Sequence, residues 1–257
     1  MQRGFTLIEL SVVLVILGLI TGGIVIGQSL LRTAEIKAIN IDLRKYVTAI
    51  TTFQTRFEAL PGDMANATTY WGALSTNATT CRNTATPNGS TLTCNGDGDG
   101  RMMTNVSSYE IYRAWQQLAN AGMVDGKYTG ISANLSLDRT SSPGINVPRF
   151  RNQDAGYSID SVADQITGSN WFAGSYINIM EIGQSASNNA TLGAILTPAE
   201  TMAFDSKYDN GLPGTGSVRT MSPNYPRATN CATNDTLSAT YNLAYDEEAC
   251  SILYNIF

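Results

Sequence analysis

From Phe5 to Leu31 the chain carries one ionisable side chain, Glu9. A helix rises about 1.5 Å per residue and the bilayer hydrocarbon is about 30 Å thick, so this run is long enough to cross a membrane. No other feature constrains the fold as much. Whatever follows is joined to an apolar rod that must bury itself in lipid or among other rods. A carboxylate inside such a rod costs about 2.5–3.5 kcal/mol at full depth, which implies a task and a partner for it. Two plainer readings fit less well. A secretory signal peptide has a shorter apolar core and a small-residue cleavage site beyond it, and here Glu9 interrupts the run and no Ala-x-Ala follows. A plain single-pass anchor leaves Glu9 as an unexplained cost.

The residues before the run complete a pattern. Met1 to Gly4 carry one cation, Arg3, and are followed by Phe5-Thr6-Leu7-Ile8-Glu9-Leu10. A short basic leader ending in Gly4, then Phe5, then Glu9 four residues on, resembles the N-terminal segment of the type IV pilin superfamily, which includes the pseudopilins of type II secretion. The resemblance implies that a prepilin peptidase cuts after Gly4 and that the new N-terminus, Phe5, is N-methylated. Phe5 and Glu9 stand one helical turn apart on one face. Two buried opposite charges are tolerable when paired, and in the family the glutamate is thought to neutralise the amine of a neighbouring subunit. The implied fold is α+β, a pilin-like fold with a long N-terminal helix packed on an antiparallel sheet, with additional short helices. The implied partners are prepilin peptidase, other pilin or pseudopilin subunits and the inner membrane. The implied topology is a cytoplasmic N-terminus and a periplasmic C-terminal domain, extracellular if in a pilus.

Composition narrows the chemistry. Net charge is −5 with no basic run, so no nucleic-acid partner is expected. The chain has no histidine, the commonest general base and metal ligand. Its four cysteines, Cys81, Cys94, Cys231 and Cys250, lie beyond the apolar run. An even count in an exported domain reads as disulfides, with three pairings possible. Cys81–Cys94 with Cys231–Cys250 closes the shortest loops and is the expected set.

Four segments are expected: a leader at 1–4, a transmembrane or filament-core helix at 5–31, its amphipathic continuation at 32–60 and a globular domain at 61–257. Ile36, Ile39, Leu43, Val47, Ile50, Phe53, Phe57 and Leu60 recur at helical spacing after Arg32. One helix is therefore expected from Phe5 to about Glu58, roughly 80 Å long, ended by Leu60-Pro61-Gly62-Asp63. Gly18, Gly22, Gly23 and Gly27 within it read as soft points or as sites of close helix packing. Residues 63–107 read as a long polar loop. Ser107-Ser108-Tyr109-Glu110 has the form of a capping box before a helix whose apolar face holds Ile111, Ala114, Trp115 and Leu118. Strands are expected at 156–162, 171–182, 192–196, 216–221 and 249–257, the last carrying Cys250. Tyr176–Ile182 alternates as a half-buried strand does. Thr197-Pro198-Ala199-Glu200 opens a helix to about Tyr208. Asp205, Lys207 and Asp209 read as its solvated face.

Asn95-Gly96-Asp97-Gly98-Asp99-Gly100-Arg101 matches the first half of a calcium loop. It offers side-chain oxygens from Asn95, Asp97 and Asp99, a glycine at position six and the backbone carbonyl of Arg101 at seven. Position twelve, where a bidentate glutamate belongs, is Val106, and Glu110 stands beyond it near a helix start. Major pseudopilins as a family bind calcium, although their site is not matched residue by residue. The expected function is a structural subunit of a type IV pilin-like filament, either a type II secretion pseudopilus or a type IV pilus, and not an enzyme. The tip subunit of type II systems lacks the glutamate, so Glu9 argues against that role. The rival readings are a tethered binding module or adhesin that never polymerises, and an anchored periplasmic enzyme, which the residue inventory disfavours.

Overall fold

A computed structural model describes residues 7–103, 110–134, 139–151, 154–186 and 189–257. The chain forms two compact units, Met1–Asp42 and Leu43–Phe257. The leader, Phe5 and the expected capping residues Ser107 to Tyr109 lie outside the described residues.

Helix α1 spans Leu7–Phe57. In the first unit its large apolar side chains from Leu7 to Ile24, with Ile26, Leu30 and Leu31, stand exposed. The hydroxyls within this stretch are satisfied by the helix itself. Ser11 donates to the Ile8 carbonyl and Thr21 to the Leu17 carbonyl, each at 2.9 Å. Such back-bonding lets hydroxyls sit in an apolar helix without an orphaned donor. The helix ends at Glu58, whose φ of 53° is left-handed, followed by Pro61 and Gly62.

In the second unit, α1 from Leu43 onward is the helical layer against the sheet. Ile50 and Phe53 are fully buried. The Tyr46 ring lies 5.0 Å from Trp115 and 4.9 Å from Tyr157 of the sheet, both edge-on. The 63–107 stretch is not uniformly loop: it holds two single-turn helices, α2 (Ala67–Trp71) and α3 (Ala78–Arg82). Trp71 of α2 stacks 6.1 Å from Phe53, which anchors this polar segment on the end of α1.

Helix α4 (Glu110–Asn120) is buried around its circumference from Glu110 to Leu118, not on one face. Its polar residues bind the backbone of the segment closed by the Cys81–Cys94 disulfide. Arg113 donates to the Cys81 and Thr84 carbonyls at 3.0 and 2.7 Å. Gln116 donates to Leu92, Gln117 to Cys94 and Asn120 to Thr91. Burial lowers the Arg113 pKa to about 10.

The sheet has five strands among the described residues: β1 (Ala155–Gln165), β2 (Gly174–Ala186), β3 (Asn189–Gly193), β4 (Val218–Arg219) and β5 (Ile252–Asn255). Its path is β1-β2-β5-β4, with β3 also on β2, and every pairing is antiparallel. With α1 and the short helices this is the α+β layout that the resemblance implies. Several boundaries move. The expected strand from Trp171 begins at Gly174, and Trp171 makes a lone bridge to Met221. The third strand ends at Gly193, and Leu196 bridges Cys250 ahead of β5, so Cys250 stands outside the ladder. Of 216–221, Val218 and Arg219 join the ladder, on β5. β2 has partners on both edges, and Asn178 and Glu181 on it are buried where half-burial was expected, while Ile177 stays exposed. Ser158 donates to Glu181 Oε2 at 2.8 Å, with Arg139 beside the other oxygen, and burial pushes the Glu181 pKa up.

Helix α5 (Pro198–Tyr208) begins with the expected capping box of Thr197 and Glu200. Asp205 is not on a solvated face. It is buried, accepting from the Tyr241 hydroxyl at 2.8 Å and the Gly211 amide at 3.0 Å. Asp209 accepts from the Val218 amide. The second disulfide, Cys231–Cys250, is buried with Trp171, Tyr176, Leu253 and Tyr241 in one core cluster.

Candidate functional site

Two features carry functional chemistry. The first is built where α1 ends. Gly62 has φ +85°, and a Cβ there would strike the Glu110 carbonyl. Glycine therefore lets the chain leaving α1 lie against the first turn of α4, and the Gly62 amide donates to Gln117, further along that helix, at 2.7 Å. Gly96 makes the matching approach, since a Cβ on it would strike the Asp63 backbone. These two contacts bring residues distant in sequence into one cluster. One carboxylate oxygen from each of Asp63, Asp97, Asp99 and Glu110 lies within 4.8 Å of the others.

Asp63 and Glu110 are buried, while Asp97 and Asp99 are exposed. The loop amides hold the buried pair in place. Asp63 accepts from Gly98 (2.7 Å), Asp99 (3.0 Å) and Gly100 (3.0 Å). Glu110 accepts from the Asp97 amide at 3.1 Å and the Met103 amide at 3.3 Å. Burial raises the Asp63 pKa to about 6, and the amide bonds from Gly100 and Gly98 oppose that rise. The loop is anchored from the sheet as well: Asn178 donates to the Gly100 carbonyl and accepts from Met102.

Of the loop residues expected from sequence, Asp97 and Asp99 stand in the cluster. Asn95 turns its oxygen to the Thr68 amide at 2.8 Å. Arg101 donates its amide to Asp99 Oδ1 at 2.8 Å. Glu110, noted from sequence as able to close the shell, does converge. Asp63 was missed. It precedes the loop by more than thirty positions, and its only local signal is the Pro61-Gly62-Asp63 turn. An all-oxygen donor set with several carboxylates suits a hard cation of the calcium type and not a soft metal.

The second feature is the N-terminal rod. Among the described residues α1 is the one helix long and apolar enough to cross a membrane, and none of its apolar window is buried. Glu9 lies in its first turn. Residues 1–25 match the family model of the prokaryotic N-terminal methylation motif. The chain carries a prepilin-type N-terminus. With the apolar helix that follows, this is consistent with type IV pilin-like proteins, a structural family. The prepilin motif implies processing by a prepilin peptidase and assembly with pilin subunits. A single apolar N-terminal helix is consistent with a membrane anchor. No curated protein and no solved structure matches the chain.

Proposed function

We propose that the protein is a structural subunit of a type IV pilin-like filament, a type II secretion pseudopilus or a type IV pilus. In this reading it is cut after Gly4, methylated on Phe5 and held in the inner membrane with its globular domain outside. The observation that carries it is the methylation motif at 1–25 set on an exposed apolar helix with Glu9 in its first turn. The Phe5 amine of an incoming subunit needs a counter-charge in the assembled core, and Glu9 supplies it. Leaving a buried charge unpaired costs about 3–5 kcal/mol, equivalent to several hundredfold in association.

The test is Glu9→Leu in the native host, with mass spectrometry of the N-terminus. Wild type should begin at methylated Phe5. The variant should be cut normally, reach the membrane at normal levels and largely disappear from sheared filaments. Assembly equal to wild type would remove the pairing mechanism. A wild-type protein absent from every filament would favour the tethered module or adhesin.

The acidic cluster adds a ligand to this reading: calcium held by Asp63, Asp97, Asp99 and Glu110. What supports it is their convergence from three separate segments and the hardness of the donor set. Bound there, the ion would tie the end of α1, the 95–101 loop and the start of α4 together, a structural role.

A further inference from the structure

Glycine follows asparagine at three places: Asn88-Gly89, Asn95-Gly96 and Asn210-Gly211. In such a pair the glycine nitrogen can attack the asparagine side-chain carbonyl, because no Cβ crowds the approach. All three asparagines are exposed, so exposure does not separate them. Hydrogen bonding does. The Gly96 amide donates to the Met64 carbonyl at 3.0 Å, and Asn95 Oδ1 accepts from the Thr68 amide at 2.8 Å. The Gly211 amide donates to Asp205 Oδ1 at 3.0 Å. Asn210 uses both ends of its side-chain amide, donating to Thr215 Oγ1 at 3.0 Å and accepting from the Leu212 amide at 2.9 Å. In these two pairs the attacking nitrogen and the amide under attack are each held by neighbours, and ring closure must break those bonds.

Asn88-Gly89 differs. The Ser90 amide donates to the Pro87 carbonyl at 3.0 Å, which puts Asn88 and Gly89 at the centre of a β-turn. Gly89 has φ +82°, as the second central residue of a type II turn requires, and a Cβ there would meet nothing within 4 Å. Neither the Gly89 amide nor the Asn88 side chain has a hydrogen-bond partner among the described residues. The chain on either side of the turn is held, by Arg113 on Thr84 and Thr86 and by Gln116 on Leu92. The tip is therefore free to deform while its stems stay in place. We propose that Asn88 is a site of spontaneous deamidation in the folded protein, and that Asn95 and Asn210 are protected from it. The Gly89 nitrogen gives its proton to hydroxide and bonds to Asn88 Cγ. The Cγ–Nδ2 bond breaks and ammonia leaves, which makes a succinimide. Water then opens the ring. Cleavage of the bond from nitrogen to Cγ gives aspartate. Cleavage of the bond from nitrogen to the Asn88 backbone carbonyl carbon gives isoaspartate, whose main chain runs through Cγ and is longer by a methylene. Either product takes up water, releases ammonia and adds a negative charge to the tip of the disulfide-closed loop.

The test incubates the full chain in detergent at mildly alkaline pH, since the attacking amide must lose its proton. The three sites are followed by peptide mapping with mass spectrometry, using fragmentation that separates isoaspartate from aspartate. A parallel sample is unfolded in denaturant with its disulfides reduced and alkylated, and incubation continues until Asn88 has converted there. In the unfolded chain the three pairs should convert at similar rates. In the folded chain Asn88 should convert to both products. Asn95 and Asn210 should convert at least about tenfold more slowly, because each must first give up its hydrogen bonds. Gly89→Ala stands in open space and keeps the fold; its Cβ crowds the nitrogen and should slow Asn88 to the level of the other two. Asn88 unconverted in the folded chain overturns the proposal, as does Asn95 or Asn210 converting as fast as Asn88. Conversion of Asn88 at the wild-type rate in Gly89→Ala overturns the ring-closure route.

Discussion

Asp63→Asn is the sharpest probe of the acidic cluster. The substitution keeps an acceptor oxygen for the Gly98 and Asp99 amides but sets an NH₂ against the Gly100 amide, which now donates to Oδ2 at 3.0 Å. It also removes one of four ligand charges. With calcium at a hundredfold its dissociation constant, binding stabilises the wild type by about 2.7 kcal/mol. For a folded unit of this size each kcal/mol moves Tm by about 2–4 °C, so calcium should raise it by about 5–10 °C. A tenfold weaker site loses about 1.4 kcal/mol, so the variant should show about half that response or less. The assay is thermal unfolding of the full chain in detergent, with chelator and then with excess calcium at matched ionic strength. The pH dependence has a defined sign. Burial raises Asp63 to about 6, so below that pH a proton competes with the ion, and the calcium response should be full above it and fade beneath it. A wild type that melts identically with chelator and with calcium refutes the site. A full response in Asp63→Asn refutes the assignment of Asp63.

Gly62→Ala should destabilise the domain by about 2 kcal/mol or more and remove the calcium response, because a Cβ meets the Glu110 backbone at a left-handed φ. Gly89→Ala, also at positive φ but in open space, should cost about 1 kcal/mol and leave the response intact. Tyr241→Phe takes the donor from buried Asp205 and should cost about 1–3 kcal/mol at neutral pH, read by denaturant unfolding. Burial lifts the Asp205 pKa above its unfolded value of about 4, so its ionisation costs stability as pH rises through that window, and the penalty should shrink in acid, where the carboxyl is protonated. Removing Cys231–Cys250 by paired serine substitution should cost about 3 kcal/mol, and non-reducing peptide maps should contain Cys81–Cys94 and Cys231–Cys250 linked fragments.

The parts of this fold that repeat at short range were legible in the sequence. The apolar run, the helical spacing from Ile36 to Phe57 and the Thr197-Pro198-Ala199-Glu200 cap are local patterns, and each marks a helix in place. Short-range pattern also located every strand, but not its ends. Those ends depend on which residues find a partner: Trp171 and Cys250 lie in extended chain yet pair only as lone bridges. Burial was the harder property. Arg113, Glu181 and Asp205 belong to types expected at the surface, and each is buried because a distant segment supplies its partners: Cys81 and Thr84, Ser158, and Tyr241. The candidate cation site divides the same way. Asp97 and Asp99 were visible as an alternating Gly/Asp loop, whereas Asp63 joins them through the close approach that Gly62 and Gly96 permit.

The way α4 holds the Cys81–Cys94 segment has an evolutionary consequence. Arg113, Gln116, Gln117 and Asn120 all grip main-chain carbonyls, at Cys81, Thr84, Leu92, Cys94 and Thr91. A carbonyl is the same whichever residue bears it, so these bonds do not depend on the side chains displayed; Thr86 and Thr93, whose hydroxyls bond Arg113 and Gln116, are the exceptions. Positions such as Asn83 and Asn88 can drift under outside pressure while the path of the loop stays put. A loop built this way can change its surface chemistry without renegotiating the core beneath it.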